Sequence, residues 1–285
     1  MTDVADILSL ARELALPEPV LIPLERSARA LPVLPVRSLA SPDTAGETWK
    51  AIVPRIPDWK EDGGMSQLAV TLAAALHTRE TYRACHISDK IYLSTMDCLR
   101  RFLEETYAML NRWTFDRGFW TWRQTGCLLF RLGALEFEYC APGAGERRPE
   151  SLRSVPVLNV HIPSDAALAR EELERSYDWA RRFFTDEAAT LCRQGQPQAV
   201  LCGSWLLSPA LEELLPEDSA IRRFAKDYRR YAVDEEDAEF YRWLFGSPTP
   251  LPAADLPEHT SLQRRAKARL ASGGRIGMAC GRYAP

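Results

Sequence analysis

Apolar positions near the start of the chain recur at helical spacing. Val4, Ile7, Leu8, Ala11 and Leu14 predict an amphipathic helix, which Pro17 and Pro19 should stop. The Pro-rich stretch from Pro17 to Pro57 reads as short helical turns and loops. One short run inside it, Trp49–Val53, is the candidate for a first strand. After Gly63-Gly64 a strong helix is expected from Ser66 to about Arg79. Ile87-Ser88-Asp89 looks like the cap of another running to about Asn111, with Ile91, Leu99, Phe102, Leu103 and Leu110 inward. About the first 115 residues therefore read as mostly helical.

The period then changes. Trp120–Phe130 and Leu135–Cys140, rich in aromatic and apolar residues and separated by Leu132-Gly133-Ala134, predict an antiparallel hairpin. In its second arm Leu135, Phe137 and Tyr139 face one way, Glu136 and Glu138 the other. The loop PGAGERRPE leads to a third strand, Val155–Pro163. A helix is expected from about Ala166 to Phe184, capped by Ser164 or Asp165 with Glu171 and Glu172 near its first turns. A strand over Ala199–Leu206, a short helix over Pro209–Leu214 and a helix start at Asp218-Ser219 come next. Tyr228–Val233 reads as a strand, Asp237–Phe245 as a helix. The linker SPTPLPAADLPEH precedes a helix at Thr260–Ala271 and a last strand at Ile276–Tyr283. Three meandering strands followed by strand–helix alternation imply an α+β fold, a mixed sheet with helices on both faces, rather than a doubly wound parallel sheet. The expected division is a helical domain over 1–117 and a sheet-bearing domain over 118–285.

Composition narrows the function classes. At 285 residues, 46% hydrophobic and 26% charged, the chain has the balance of a globular protein. A net charge of -3 gives no electrostatic reason to expect nucleic acid as a partner. No apolar stretch approaches the ~18–20 residues that a membrane helix needs, so no membrane association is expected. The start MTDVADILSLAREL lacks a basic region, which argues against a signal peptide. Seven scattered cysteines without CxxC pairs point to reduced buried thiols and a cytoplasmic setting. No metal is expected. The four histidines lie away from cysteines at ligand spacing, apart from the adjacent pair Cys85 and His86.

Five strings carry a resemblance: FRLGALEFEY at Phe130–Tyr139, NVHIPSDAAL at Asn159–Leu168, CGSWLLSPALEELLPEDSAIRRF at Cys202–Phe224, EFYRWLFG at Glu239–Gly246 and HTSLQRRAKARLASGGRIGMACG at His259–Gly281. In this order they resemble bacterial acyltransferase-domain proteins with a helical N-acyltransferase N-terminal domain and a GNAT-like C-terminal domain. The resemblance spans roughly Ser88 to the end. It implies an acyl-CoA or acetyl-CoA co-substrate, held where the fourth and fifth sheet strands splay apart, and a small-molecule or peptide amine acceptor. In that family a glycine-rich loop at a helix start commonly holds the pyrophosphate. Here the corresponding loop, Ile162–Leu168, has no glycine and contains Asp165, whose charge opposes a phosphate.

On this resemblance His161 and Glu138 are the candidate catalytic bases. Asn159, Ile162, Ser164, Cys202, Ser204 and Trp205 are the candidate CoA-contacting residues. The intrinsic pKa of an imidazole lies near neutrality, which suits a histidine at the splay to removal of an amine proton. The same residue type at a strand end also serves as a hydrogen-bonded structural group. Glu136 and Glu138 share a face near Arg131, where they either bind an amine or stand as a solvated ion-paired face. Cys202 is a candidate nucleophile or a core thiol, Trp205 a pocket wall or a packing residue. Gly203 allows a close backbone approach. Ser208-Pro209 starts a helix. The basic run Gln263–Arg269 offers either a phosphate contact or a solvated helix face. Three readings follow: an acyl-CoA-dependent N-acyltransferase, a non-catalytic GNAT-like ligand-binding or interaction module, and a cysteine-dependent hydrolase that needs His161 to meet Cys202.

Overall fold

A computed structural model describes residues 3–144 and 147–285. It divides into two compact units, Met1–Leu132 with Thr185–Arg193, and Gly133–Phe184 with Gln194–Pro285. The first unit is helical up to its last strand. Its helices are α1 Val4–Glu13, α2 Glu18–Ala30, α3 Ala45–Ile52, α4 Trp59–Asp62, α5 Met65–Ala84, α6 Asp89–Met96, α7 Cys98–Leu110 and α8 Gly118–Thr125, followed by β1 Leu129–Leu132. Helix α5 is its axis. Leu68, Ala69, Val70, Leu72, Ala74 and Ala75 are all fully buried, and α1, α2, α6 and α8 pack on it. A helix apolar on every side belongs in a core.

Four expectations change here. The Pro-rich stretch holds a full helix, α2, because Pro19 sits in its first turn, where a missing N–H costs nothing. Trp49–Val53 is no strand: Trp49 and Ile52 lie in α3 and bury against Val70 and Ala74 of α5. The helix expected from Ser88 to Asn111 is two, parted at Asp97, with Ser88 capping the first at Ile91 N and Asn111 ending the second in a left-handed turn. The predicted hairpin arm Trp120–Phe130 is helix α8 over its first half, and β1 starts only at Leu129. Tertiary packing overrides the strand preference of its aromatic residues. The Thr121 hydroxyl meets that of Thr71 at 3.2 Å, and the Thr78 hydroxyl donates to the Thr125 carbonyl at 2.7 Å.

The second unit contains β2 Leu135–Cys140, β3 Val157–His161, α9 Arg170–Thr185, β4 Val200–Ser204, α10 Leu211–Leu214, α11 Ala220–Lys226, β5 Tyr228–Asp234, α12 Phe240–Phe245, α13 Ser261–Ala271 and β6 Met278–Tyr283. These elements match the expected order. Within the loop PGAGERRPE, Gly145 and Glu146 lie outside the described residues. The fold is α+β with a mixed six-stranded sheet in the order β1-β2-β3-β4-β6-β5. Strand β3 pairs antiparallel with β2 and parallel with β4, and β6 pairs antiparallel with both β4 and β5.

Helix α9 covers one face of this sheet. Tyr177 stacks on Tyr283 at 3.9 Å, meets Phe137 edge-on at 5.8 Å and shares a hydrogen bond with the Tyr228 hydroxyl. Sequence reasoning started α9 at Ala166, but it begins at Arg170. Pro163–Ala166 instead forms a turn closed by Ala166 N donating to the Pro163 carbonyl. Asp165 is therefore not a helix cap, whereas Glu171 and Glu172 do fall in the first turn. A second apolar cluster joins Leu211, Phe240, Phe245, Leu256, Ala266 and Ile276. Helix α13 opens on a reciprocal cap between Thr260 and Gln263.

Candidate functional site

Strand alternation and register sort the candidate residues by face. Glu136 lies opposite His161, and Glu138 opposite Asn159. Asn159 is in turn level with Leu201, and two residues on, Gly203 is level with Cys280. Paired residues share a face, so Glu136, Glu138, Asn159, His161, Leu201, Gly203 and Cys280 stand on one side of the sheet. Phe137, Val160 and Cys202 are linked by the same registers and stand on the other, under α9.

On the first face a diagonal cross-strand pair forms. His161 Nε2 lies 2.8 Å from Glu138 Oε2, with side chains 20% and 13% exposed. That is close enough for a charge-assisted hydrogen bond and open enough for a substrate. A carboxylate at Nε2 fixes the ring orientation and, when Nε2 carries the proton, accepts it in a hydrogen bond. Glu136, one pleat away, is only 4% exposed. The expected solvated face is thus a half-buried one.

The pair stands where the sheet opens. The parallel ladder between β3 and β4 runs Leu158↔Val200, Asn159↔Leu201 and Val160↔Cys202. Beyond it β3 pairs on with β2 through His161, while β4 pairs on with β6 through Gly203 and Ser204. Each strand keeps its outer neighbour where the parallel ladder between the two ends, which is a splay. Gly203 is exposed on the His161 face at this point. A Cβ there would meet Met278 Cε at 3.2 Å and Cys280 Sγ at 3.4 Å. The missing side chain leaves a bare strip of backbone. At the other end of this face Val157 and Leu201 are sealed by Leu152, Val155 and Tyr231.

The remaining candidates are placed differently. Ile162 is half-buried and Ser164 and Asp165 are exposed in the turn that follows His161. Cys202 is 1% exposed, and burial pushes its thiol well above the ordinary cysteine range. It faces away from His161, so the contact required by a cysteine-dependent hydrolase does not form. Ser204 Oγ accepts from Leu206 N at 3.1 Å and caps the short turn Trp205–Leu207. Trp205 packs on the second apolar cluster. Ser208 is buried and donates to the Ile276 carbonyl. The basic run on α13 ties the chain together: Arg265 donates to the Leu214 carbonyl, Lys267 to those of Ala254 and Leu256, and Arg269 pairs with Glu213.

Two features escaped sequence reasoning. Tyr231 sits at a register shift between Arg230 and Ala232, and its hydroxyl donates to the Arg147 carbonyl at 2.9 Å. A bulge has no sequence signal when no glycine marks it. Arg222, Lys226 and Arg230 line a common pocket, and their four-residue spacing across a helix end was the available clue. Among the described residues no group of three or more His, Cys, Asp or Glu gathers to hold a metal ion.

Comparison with known proteins gives the family and the fold. Residues 129–283 match the family model of a GNAT-like C-terminal domain, and residues 2–127 that of an N-acyltransferase N-terminal domain. Among solved structures, an acyltransferase in complex with decanoyl-CoA and teicoplanin is 22% identical with a TM-score of 0.76, over 96% of this chain and 86% of that one. A mutant acyltransferase in complex with octanoyl-CoA gives 22% and 0.76 over 97% and 87%. An acyltransferase in complex with decanoyl-CoA gives 21% and 0.68 over 98% and 99%. These likenesses establish the fold. No curated protein matches by sequence.

Proposed function

This chain belongs to the GNAT-like C-terminal domain family, with an N-acyltransferase N-terminal domain ahead of it, and from that premise we propose that it moves an acyl group from acyl-CoA to an amine acceptor. The observation that carries this reading is the His161–Glu138 pair at 2.8 Å, on the face where the β3–β4 ladder ends. In the proposed step the acceptor nitrogen attacks the thioester carbonyl carbon while His161 takes its proton. The C–N bond forms, the C–S bond breaks, and the CoA thiolate leaves and recovers the proton from His161. Glu138 holds the imidazolium during transfer. The bare backbone at Gly203 gives the thioester arm a close approach. The acceptor is a small-molecule or peptide amine, and the setting is cytoplasmic, a reading supported by the seven free cysteines.

The solved relatives make octanoyl- and decanoyl-CoA the first donors to assay, and teicoplanin the first acceptor. Occupancy at ~100 times Kd should stabilise the chain by about 2.7 kcal/mol. Absence of a thermal shift with every CoA species would sink the transferase reading. His161→Ala should lower turnover about 10²- to 10³-fold, and Glu138→Gln less, with acyl-CoA affinity retained. Unchanged turnover in both would remove them as the base. A second reading, a non-catalytic ligand-binding or interaction module that has lost acyl-CoA binding, draws on the glycine-free turn bearing Asp165 and is supported if no CoA species binds.

A further inference from the structure

The loop where a phosphate is expected repels one. Asp165 is exposed in the turn after β3, and α9 opens with Glu171 and Glu172 in its first turn. A negative first turn uses up the positive end of the helix dipole and opposes a second anion. A different part of the same unit has the opposite character. Two residues past the end of β4, Leu206 begins a pocket of about 180 Å³ walled by Leu211 and Ile221 and lined by Arg222, Lys226 and Arg230. Three cations line it with one carboxylate, Glu212, which is engaged by Arg230 Nη1, while Arg222 Nη2 lies 3.8 Å from Glu217, which is not part of the lining.

Each cation is held or poised. Arg222 Nη1 donates to the carbonyls of Glu212 and Leu215, both at 3.1 Å, which fixes its guanidinium in place. Its Nε is shut off from solvent and has no hydrogen-bond partner among the described residues. Arg230 Nε donates to the Leu207 carbonyl at 2.7 Å. Lys226 is exposed at the end of α11, and no carboxylate pairs with it among the described residues. Two guanidinium groups and a free ammonium lining one pocket suit a phosphate ester, which takes several donors at once. The volume admits a phosphate group.

We propose that this pocket anchors a phosphate of the nucleotide end of acyl-CoA, in place of the glycine-rich loop that the chain lacks. The assignment rests on the acyl-CoA reading given above and names where that co-substrate is gripped. The test is calorimetric titration of the full chain with decanoyl-CoA and with decanoyl-pantetheine, which carries the same thioester but no phosphate. Lys226→Ala should weaken decanoyl-CoA about tenfold, the scale of one charge-assisted hydrogen bond, and leave decanoyl-pantetheine unchanged. Lys226→Arg should restore the loss, and added salt should weaken decanoyl-CoA in the wild type more than in Lys226→Ala. Equal losses for both ligands, or wild-type affinity in Lys226→Ala, would overturn the phosphate assignment and leave the transferase reading standing. A wild-type chain that binds neither ligand would overturn both.

Discussion

At the scale of residues, the two groups that sequence reasoning singled out as bases are brought into contact by register alone. Glu138 and His161 are 23 positions apart in the chain, yet antiparallel pairing of β2 and β3 puts their side chains 2.8 Å apart. Alternation along Leu135–Cys140 was legible, and so was the polar end of Val155–Pro163. The diagonal pairing was not, because register depends on the turn between strands. Gly203 is the residue whose role the structure sharpened most. Gly203→Val would set side-chain atoms against Met278 and Cys280 and over the bare strip. We expect acyl-CoA affinity to fall about tenfold or more, with melting temperature changed by only a few degrees. A variant that binds acyl-CoA normally would show that the strip is not on the ligand's path. Cys202, by contrast, was ambiguous in sequence and is decided by the face on which it falls.

At the scale of elements, the helical and strand periods located most segments, and the errors share a cause. Trp49–Val53 and Trp120–Phe130 carry the aromatic and β-branched residues of strands, but the first run and the first half of the second pack against α5 as helices. Local preference is worth tenths of a kcal/mol per residue, and a buried face outweighs it. The entry to α5 shows how tightly that packing is set. Gly64 has φ +78°, and a Cβ there would lie 1.9 Å from the Phe115 carbonyl oxygen. Gly64→Ala should therefore cost about 2–3 kcal/mol by denaturant unfolding, from overpacking and an unfavourable backbone angle together. Helix α13 gives a smaller, cleaner case. Thr260→Ala removes the acceptor of Gln263 N and should cost about 1 kcal/mol. The start of α9 was misjudged by about four residues because Ser164 and Asp165 have the composition of a cap while the chain turns at Pro163 instead.

At the scale of the whole molecule, buried thiols and phenols set the response to alkali. Burial pushes Cys192 up to about 11 and raises Cys280 and Tyr283 as well. Groups whose pKa is raised on folding favour the native state fully below their unfolded values. That contribution declines as pH climbs from about 8.5, the free-thiol value, towards the folded ones. Melting temperature should thus hold on the neutral side and fall progressively above pH ~9. A flat profile to pH 11 would contradict the assigned burial. What the sequence determined by itself was the fold class and the order of elements in the second unit, and it singled out the two residues proposed as bases, because periodicity and strand-end chemistry are written locally. The tertiary structure decided which face each residue occupies, where β3 and β4 part, and that Arg222, Lys226 and Arg230 share one pocket. Those are matters of register and of contact between distant segments, which no local pattern encodes.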